Sequence, residues 1–508
     1  MKTKLFVILF LAASIIPTFI YAQFTQQGPK IIGSGGDASS AQGSSVAISS
    51  DGNTAVEGGI YDNNAAGAVW IFTRSGGVWT QQGPKLVGTG AVGSFVYQGY
   101  SVAISADGNT VIEGGYEDNN RMGAAWVFTR SGGVWTQQGP KLVGAGSVGD
   151  NVYQGGSVAI SPDGNTVFDG GPGDNGGNNG LGAFWIFTRT GNTWSQLGNK
   201  LSVSDGNGQP NLGRSLAISA DGNNLIVGGP NDSGGLGAAW VFTRSGNSWT
   251  QQGGKLFGSG SYDPANEGYS VAISANGNTA VFGGPYDFAS EGAVWVFIRN
   301  GNSWSQQGPI LYPILSLSPI KAGASVAITP DGNTFLVSGP GDSGSIGTVW
   351  EYTRNGAVWT KQNQKIVGSG RVGASRQGWQ ISLSSEGTLI DGGPYDDNGT
   401  GAIWFFNNPT IGITPISTLV PAAFSLSQNY PNPFNPNTKF KFQISKLSDT
   451  KISVFDVLGR EVEILVDKQL QPGTYEVDWN ASNYPSGVYF YKLTSVDYSE
   501  TKKMVLIK

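Results

Sequence analysis

The chain has 508 residues, no Cys, no His, 79 Gly, 15 Trp and a formal net charge of −5. Its length exceeds what one hydrophobic core usually organises, and the missing Cys and His exclude disulfides, a thiol nucleophile, a Ser-His-Asp triad and a His-ligated zinc. Glycine at about twice average usage, with 13% charged and 11% aromatic residues, excludes disorder and a helical bundle and suits many short strands joined by tight turns; no basic stripe is present for nucleic acid or an anionic membrane surface.

Residues 1–22, "MKTKLFVILFLAASIIPTFIYA", carry two lysines, an apolar stretch and a small Ala22, the layout of a cleaved secretory signal. Pro17 interrupts the apolar run and no stop-transfer charges follow, which argues against a membrane anchor. After cleavage no transmembrane segment is expected. Residues 23–33, "QFTQQGPKIIG", then open the mature chain on half a phrase that returns later as "WTQQGPKLVG".

One unit is written seven times, marked by Trp70, Trp126, Trp185, Trp240, Trp295, Trp350 and Trp404 at spacings of 54 to 59 residues. The second copy holds four β-prone runs, "SVAIS", "TVIEGG", "AAWVFTR" and "WTQQGPKLVG". Asp-Gly and Gly-Gly between successive runs supply the positive φ angles of hairpin turns, so each copy predicts a four-stranded antiparallel meander. Such a sheet cannot bury both apolar faces alone, and radial stacking of seven predicts a β-propeller over 23–408. The seventh copy stops after "GAIWFFNN", residues 401–408, without its fourth run. Residues 23–33 are expected to supply it, with Phe24 where other copies have Trp79, Trp135, Trp194, Trp249, Trp304 or Trp359. That closure removes an unpaired edge.

The wording Gly-x-Ser-Val-Ala-Ile-Ser, Asp-Gly-Asn, Gly-Gly-Pro-Tyr-Asp and Gly-Ala-x-Trp-Val-Phe resembles bacterial FG-GAP repeats, relatives of the integrin α-chain propeller. Many such blades hold calcium in an acidic loop between the first two strands. Here that loop is "SSDGN", "SADGN", "SPDGN", "SANGN", "TPDGN" or "SSEG". One carboxylate cannot supply the six to eight oxygens that calcium takes, so Asp51, Asp107, Asp163, Asp221 and Asp331 read as turn formers and no cofactor or metal is expected.

Strand order places the loop after the second strand and the inter-blade loop on one face. Every copy has an aspartate three residues beyond its glycine pair: Asp62, Asp118, Asp174, Asp232, Asp287, Asp342 and Asp396. A residue present in all blades is expected to cap its own loop. Just before the glycine pair stand Glu57, Glu113, Asp169 and Asp391, but apolar residues in blades four to six. These four acids fall in neighbouring blades, so an acidic arc near the channel is expected, with Tyr97, Tyr153 and Tyr262 on the same face to stack on a hydroxyl-rich or cationic ligand. Arg74, Arg130, Arg189, Arg244 and Arg354, closing "WVFTR", are expected at a solvated rim on the opposite face.

After Asn408 the repeats end. Residues 409–423 read as a Pro/Thr-containing linker, and 424–508 as a small Ig-like β-sandwich of about seven strands. "YPNPFNP" (430–436), "VFDVLGREV" (454–462), "SGVYFYKL" (486–493) and the terminal "KKMVLIK" resemble the type A C-terminal sorting domain of the type IX secretion system, which is similar to the Ig-like domain of flagellar hook-capping proteins. That resemblance implies Sec export followed by outer-membrane translocation, with the secretion machinery as a partner. The resulting expectation is a secreted or surface-displayed, non-enzymatic binding protein whose propeller loops recognise an extracellular polysaccharide or protein. Two alternatives stand beside it: a structural surface or matrix component without a discrete ligand, and a carboxylate-based polysaccharide hydrolase.

Overall fold

The computed structural model of the protein describes residues 24–508 apart from 177–179, 263, 315–318, 409–413, 418–419, 471, 482–483, 496 and 508. The expected secretory signal lies outside the described residues, as does part of the expected linker.

Seven four-stranded antiparallel sheets form the propeller. Blade one comprises Gln42–Ile48, Thr54–Gly59, Ala68–Ser75 and Val78–Gln81, and blade two Ser101–Ile104, Thr110–Gly115, Ala124–Ser131 and Val134–Gln137. Blades three to six repeat this order, their first strands at Ser157–Ile160, Ser215–Ile218, Ser270–Ile273 and Val326–Ile328. First strands contact one another around the ring and are therefore innermost. Each second strand is buried along its whole length, Thr334 of blade six excepted, because neighbouring blades cover both of its faces. Val56, Val69 and Ile71 of blade one, for example, share a cluster with Val111, Trp126 and Phe128 of blade two. Full burial of such side chains contributes roughly 1.5–3 kcal/mol each.

The marker tryptophans are the hubs of this packing and are at most 1% exposed. In five blades the preceding loop caps the ring through its backbone: Trp126 Nε1 donates to Thr89 O at 2.8 Å, and Trp70, Trp185, Trp295 and Trp404 make the corresponding bond. A Cβ on Gly88 would stand 2.3 Å from Trp126 Cδ1, and one on Gly58 only 1.9 Å from Gly99 O. Trp and Gly are thus specified together by close approach of ring and backbone.

Blade seven is Gln380–Leu383, Thr388–Gly393 and Ala402–Asn407, completed on its outer edge by Thr25–Gln26 from the start of the described chain. Thr25 faces Asn407 and Gln26 faces Phe406. Pairing continues through Gln27 N to Phe405 O (2.7 Å) and reciprocal bonds between Ile31 and Ile403. Phe24 is buried against blades six and seven.

On the turn face, Asp51 accepts from Ser49 Oγ (2.5 Å) and Asn53 N (3.0 Å), and Asp107 and Asp163 repeat the arrangement. Apart from Arg244, which donates to Gly246 O in its own turn, the arginines there differ from the expected solvated rim. Arg130 lies over the Trp135 ring at 5.4 Å, and its guanidinium donates to Asn109 of its own blade and Gln82 of the blade before. Arg189 and Arg354 bridge blades through Gln138 and Gln307 in the same way. A planar guanidinium both stacks and donates along several directions, which suits it to clasp two blades.

The C-terminal part is a two-sheet sandwich of eight strands rather than about seven. One sheet has the order Thr414–Ser417, Gly473–Asn480, Asn437–Ile444, Ser425–Leu426, and the other Glu461–Leu470, Ser448–Phe455, Gly487–Ser495, Tyr498–Leu506. Its first strand, Thr414–Ser417, comes from within the expected linker, where Thr414 and Pro415 pair with Glu476 and Tyr475. The extended backbone favoured by a Pro/Thr segment serves a strand as readily as a linker. Phe434 bonds through its backbone to Val505 and Ile507, which seats "YPNPFNP" against the terminal strand.

Candidate functional site

The seven first strands enclose an axial cavity of about 480 Å³, within the range usual for ligand sites. Its walls are apolar, with Val102, Ile104, Val158, Ile160, Val271 and Val326 among them. Its mouth lies on the loop face and is formed by the variable residue of Gly-x-Ser (Gly-x-Gln in blade seven): Ser44, Tyr100, Gly156, Arg214, Tyr269, Ala324 and Trp379. Tyr286 and Lys321 join them.

Three residues before each of these, the backbone is left-handed at a non-glycine residue: Ala41, Tyr97, Tyr153, Asn211, Asn266, Lys321 and Arg376 all have φ between 53° and 60°. In five blades the following loop residue holds the bend, while Leu212 and Ala322 stand there in blades four and six. In blade two, Gln98 Oε1 accepts from Gly88 N (2.6 Å) while its Nε2 donates to Gly88 O (2.9 Å), and Gln42, Gln154 and Gln377 make the same pair of bonds in blades one, three and seven. Where present, the buried clip holds the bend; at the left-handed position before it Ala41 and Asn211 are buried, while Tyr97 and Tyr153 contact other rings of the face. Blade five has Glu267 in the clip position, and burial pushes its carboxyl up to about 8 against the Gly258 N–H that it accepts.

The mouth is aromatic and cationic. The Arg214 guanidinium lies 4.5 Å from the Tyr269 ring centre, Lys321 Nζ 5.5 Å from that of Tyr286, and the Arg376 guanidinium 4.2 Å from Tyr395 and 5.9 Å from Trp379. On the side of blades one to three, Tyr97 stacks on Tyr116 at 5.6 Å, and Tyr116 continues to Tyr100 (4.2 Å) and Tyr153 (5.9 Å). Tyr97 and Tyr153 therefore reach the expected face, but beside the cavity rather than at its rim. Tyr262 stands farther out, 74% exposed and against Phe288.

The expected acidic arc is not on this face. Glu57, Glu113, Asp169 and Asp391 are all 0% exposed. Glu57, Glu113 and Asp169 each lie beside the marker tryptophan of their own blade in register, inside the seams between blades. Burial raises Glu57 and Glu113 well above the usual carboxylate range, and pushes Asp169 to about 7 and Asp391 to about 8 although Gly155 N and Gly378 N donate to them. A side chain preceding the glycine pair points along the blade face, not along the axis, which is why position in the repeat misled. Variation between blades also occurs at the x of Gly-x-Ser, and those residues line the cavity.

The seven loop aspartates are buried and bound within their blades. Asp118 accepts from Val92 N at 2.6 Å, and the corresponding bond is made by Asp62, Asp174, Asp232, Asp287 and Asp396. Each of six also pairs with the lysine of "GPKLVG" or its equivalent: Asp62 with Lys85, Asp118 with Lys141, Asp174 with Lys200, Asp232 with Lys255, Asp342 with Lys365 and Asp396 with Lys30. Blade five has Ile310 in place of the lysine, and Tyr312 OH donates to Asp287 at 2.6 Å.

Fold and site together define a β-propeller with an axial cavity, followed by a β-sandwich. Residues 428–508 match the family described as the secretion system C-terminal sorting domain. The chain is accordingly a type IX secretion substrate directed to the cell surface or the exterior, and among the described residues no helix is long and apolar enough to cross a membrane. Among solved structures it is similar to PorZ, a surface component of the type IX secretion system of Porphyromonas gingivalis, at 13% identity and TM-score 0.40 over 87% of this chain and 56% of that one. It is also similar to the β-propeller domain of the Trilobed protease from Pyrococcus furiosus, at 10% identity and TM-score 0.36 over 70% of this chain and 92% of that one. An acylaminoacyl peptidase from Pyrococcus horikoshii is similar at 9% identity and TM-score 0.36, over 77% of this chain and 56% of that one. The chain thus spans little more than half the length of PorZ and of the peptidase. No curated protein matches its sequence.

Proposed function

We propose that the propeller is the working part of an exported binding or adhesion protein whose loop face recognises an extracellular polysaccharide or protein. The observation that carries this reading is the axial cavity, open on the loop face and rimmed by Tyr100, Arg214, Tyr269, Tyr286 and Trp379 on a rigid ring of blades. Apolar walls with a few convergent polar groups are what binding cavities generally present. Glycoside hydrolysis needs two carboxyls about 5 to 10 Å apart, and the described residues lining this cavity include neither Asp nor Glu, which favours binding over turnover. Glycan-array binding by the secreted chain, with and without calcium, tests the reading. Saturable binding that is lost in Trp379→Ala and Tyr100→Ala variants of unchanged Tm supports it. Self-association with no saturable ligand would replace it with a structural role in a surface layer.

A further inference from the structure

Charge on the loop face is divided in a way that the repeats do not require. Lys30, Lys85, Lys141, Lys200, Lys255 and Lys365 are each neutralised by a buried loop aspartate. Arg214, Lys321 and Arg376 are not: among the described residues none of the three forms an ion pair, and each lies against an aromatic ring instead. They cluster where the repeat varies, at the x of Gly-x-Ser in blade four and at the left-handed loop position of blades six and seven. The carboxylates that sequence position suggested for the same region are buried in the seams, so they supply no counter-charge at the mouth. A chain of net charge −5 thus places uncompensated cations at the mouth of its axial cavity.

A cation held on a ring face is partly desolvated yet keeps its charge, and a guanidinium offers paired N–H donors that match a carboxylate or sulfate. Arg214 and Lys321 both line the cavity, alongside Tyr100, Tyr286 and Trp379. Rings beside cations suit a sugar, whose C–H faces stack on aromatics while its anionic group meets the charge.

From this arrangement we infer that the axial cavity binds an acidic saccharide, with Arg214 and Lys321 receiving its anionic group and Trp379 and Tyr286 flanking the ring. The inference rests on the loop face being a binding surface and adds the ligand class.

The test is calorimetric binding of the secreted full chain to oligogalacturonate, to its methyl ester, to a heparin fragment and to poly-glutamate. The expected result is a preference of about tenfold or more for at least one anionic glycan over the ester. That preference shrinks at about 0.5 M salt and is lost in Arg214→Gln and in the more exposed Lys321→Gln, with Tm unchanged for the latter. Preference for oligogalacturonate identifies the anion as carboxylate, and preference for heparin that is lost on its desulfation identifies it as sulfate. Equal binding of acid and ester, or a preference that survives both substitutions, overturns the inference and leaves loop-face binding intact. Poly-glutamate binding as tightly as the glycans overturns the assignment to a sugar. No saturable binding to any probe, neutral ester included, overturns the acidic-saccharide assignment and, with a silent glycan array, the polysaccharide reading beneath it.

Discussion

Lys85 Nζ lies 2.5 Å from Asp62 Oδ2, whose side chain is fully buried, and its ammonium sits 6.0 Å from the centre of the Trp70 ring. One lysine thereby ties the outer strand of its blade to the loop between second and third strands. Removing one partner of a buried pair leaves an uncompensated charge. Lys85→Met is expected to destabilise by about 3 kcal/mol, and Lys85→Met combined with Asp62→Asn by clearly less. Denaturant midpoints for the single and double variants check the difference.

The seam acids give stability a pH dependence. Asp169 at about 7 and Asp391 at about 8 are raised above ordinary aspartate values by burial. The folded state therefore binds more protons than the unfolded one between about pH 4 and 8. Their contribution is fully present below about pH 4 and is lost as pH rises through 7 and 8. Asp169→Asn and Asp391→Asn should melt higher than the parent at pH 8, with the gap narrowing towards pH 5. Thermal melts across that range decide; a gap that widens on acidification would contradict the assigned direction.

Glu267 is a local exception whose repair is predictable. Glutamines in the equivalent clips donate through Nε2 to a glycine carbonyl, which a carboxyl can do only when protonated. Its carboxyl is held at about 8 by burial. Glu267→Gln should be near neutral for stability at pH 6 and stabilising at pH 9, read as the difference in Tm at the two pH values.

Ring closure depends on the first described strand. Deleting residues 24–33 strips blade seven of its outer strand, exposes the pocket that Phe24 fills and leaves Asp396 without Lys30. The truncated chain is expected to melt at least several degrees lower, on the order of what the loss of a few kcal/mol produces. Cooperative melting at the parent temperature in calorimetry would refute the seam.

Binding and seam chemistry should separate. Trp379→Ala is expected to weaken ligand binding at least about tenfold, the scale of an aromatic anchor, with little change in Tm because the ring is 39% exposed. Glu113→Gln is expected to leave binding unchanged and raise Tm, because a buried carboxyl becomes a neutral amide. The reverse pattern would return the acids to the binding site.

Much of this protein is legible in one dimension. Period and turn chemistry by themselves determined the repeated four-stranded meanders and pointed to the opening segment as the partner of blade seven, because hairpin order and edge pairing follow from local pattern. The words of the sorting tail were equally local. Tertiary structure alone decided where charge is felt. Glu57 and Arg214 are both departures from a repeat, but the facing blade covers the first and the axis leaves the second open, and no spacing along the chain distinguishes a seam from a channel. The pairing of Lys85 with Asp62, 23 residues away, and the recruitment of Thr414–Ser417 into the sandwich are likewise settled by which surfaces meet. Burial and ionisation belong to three-dimensional neighbours, so the sequence yields the frame, and the sign of the site had to come from the fold.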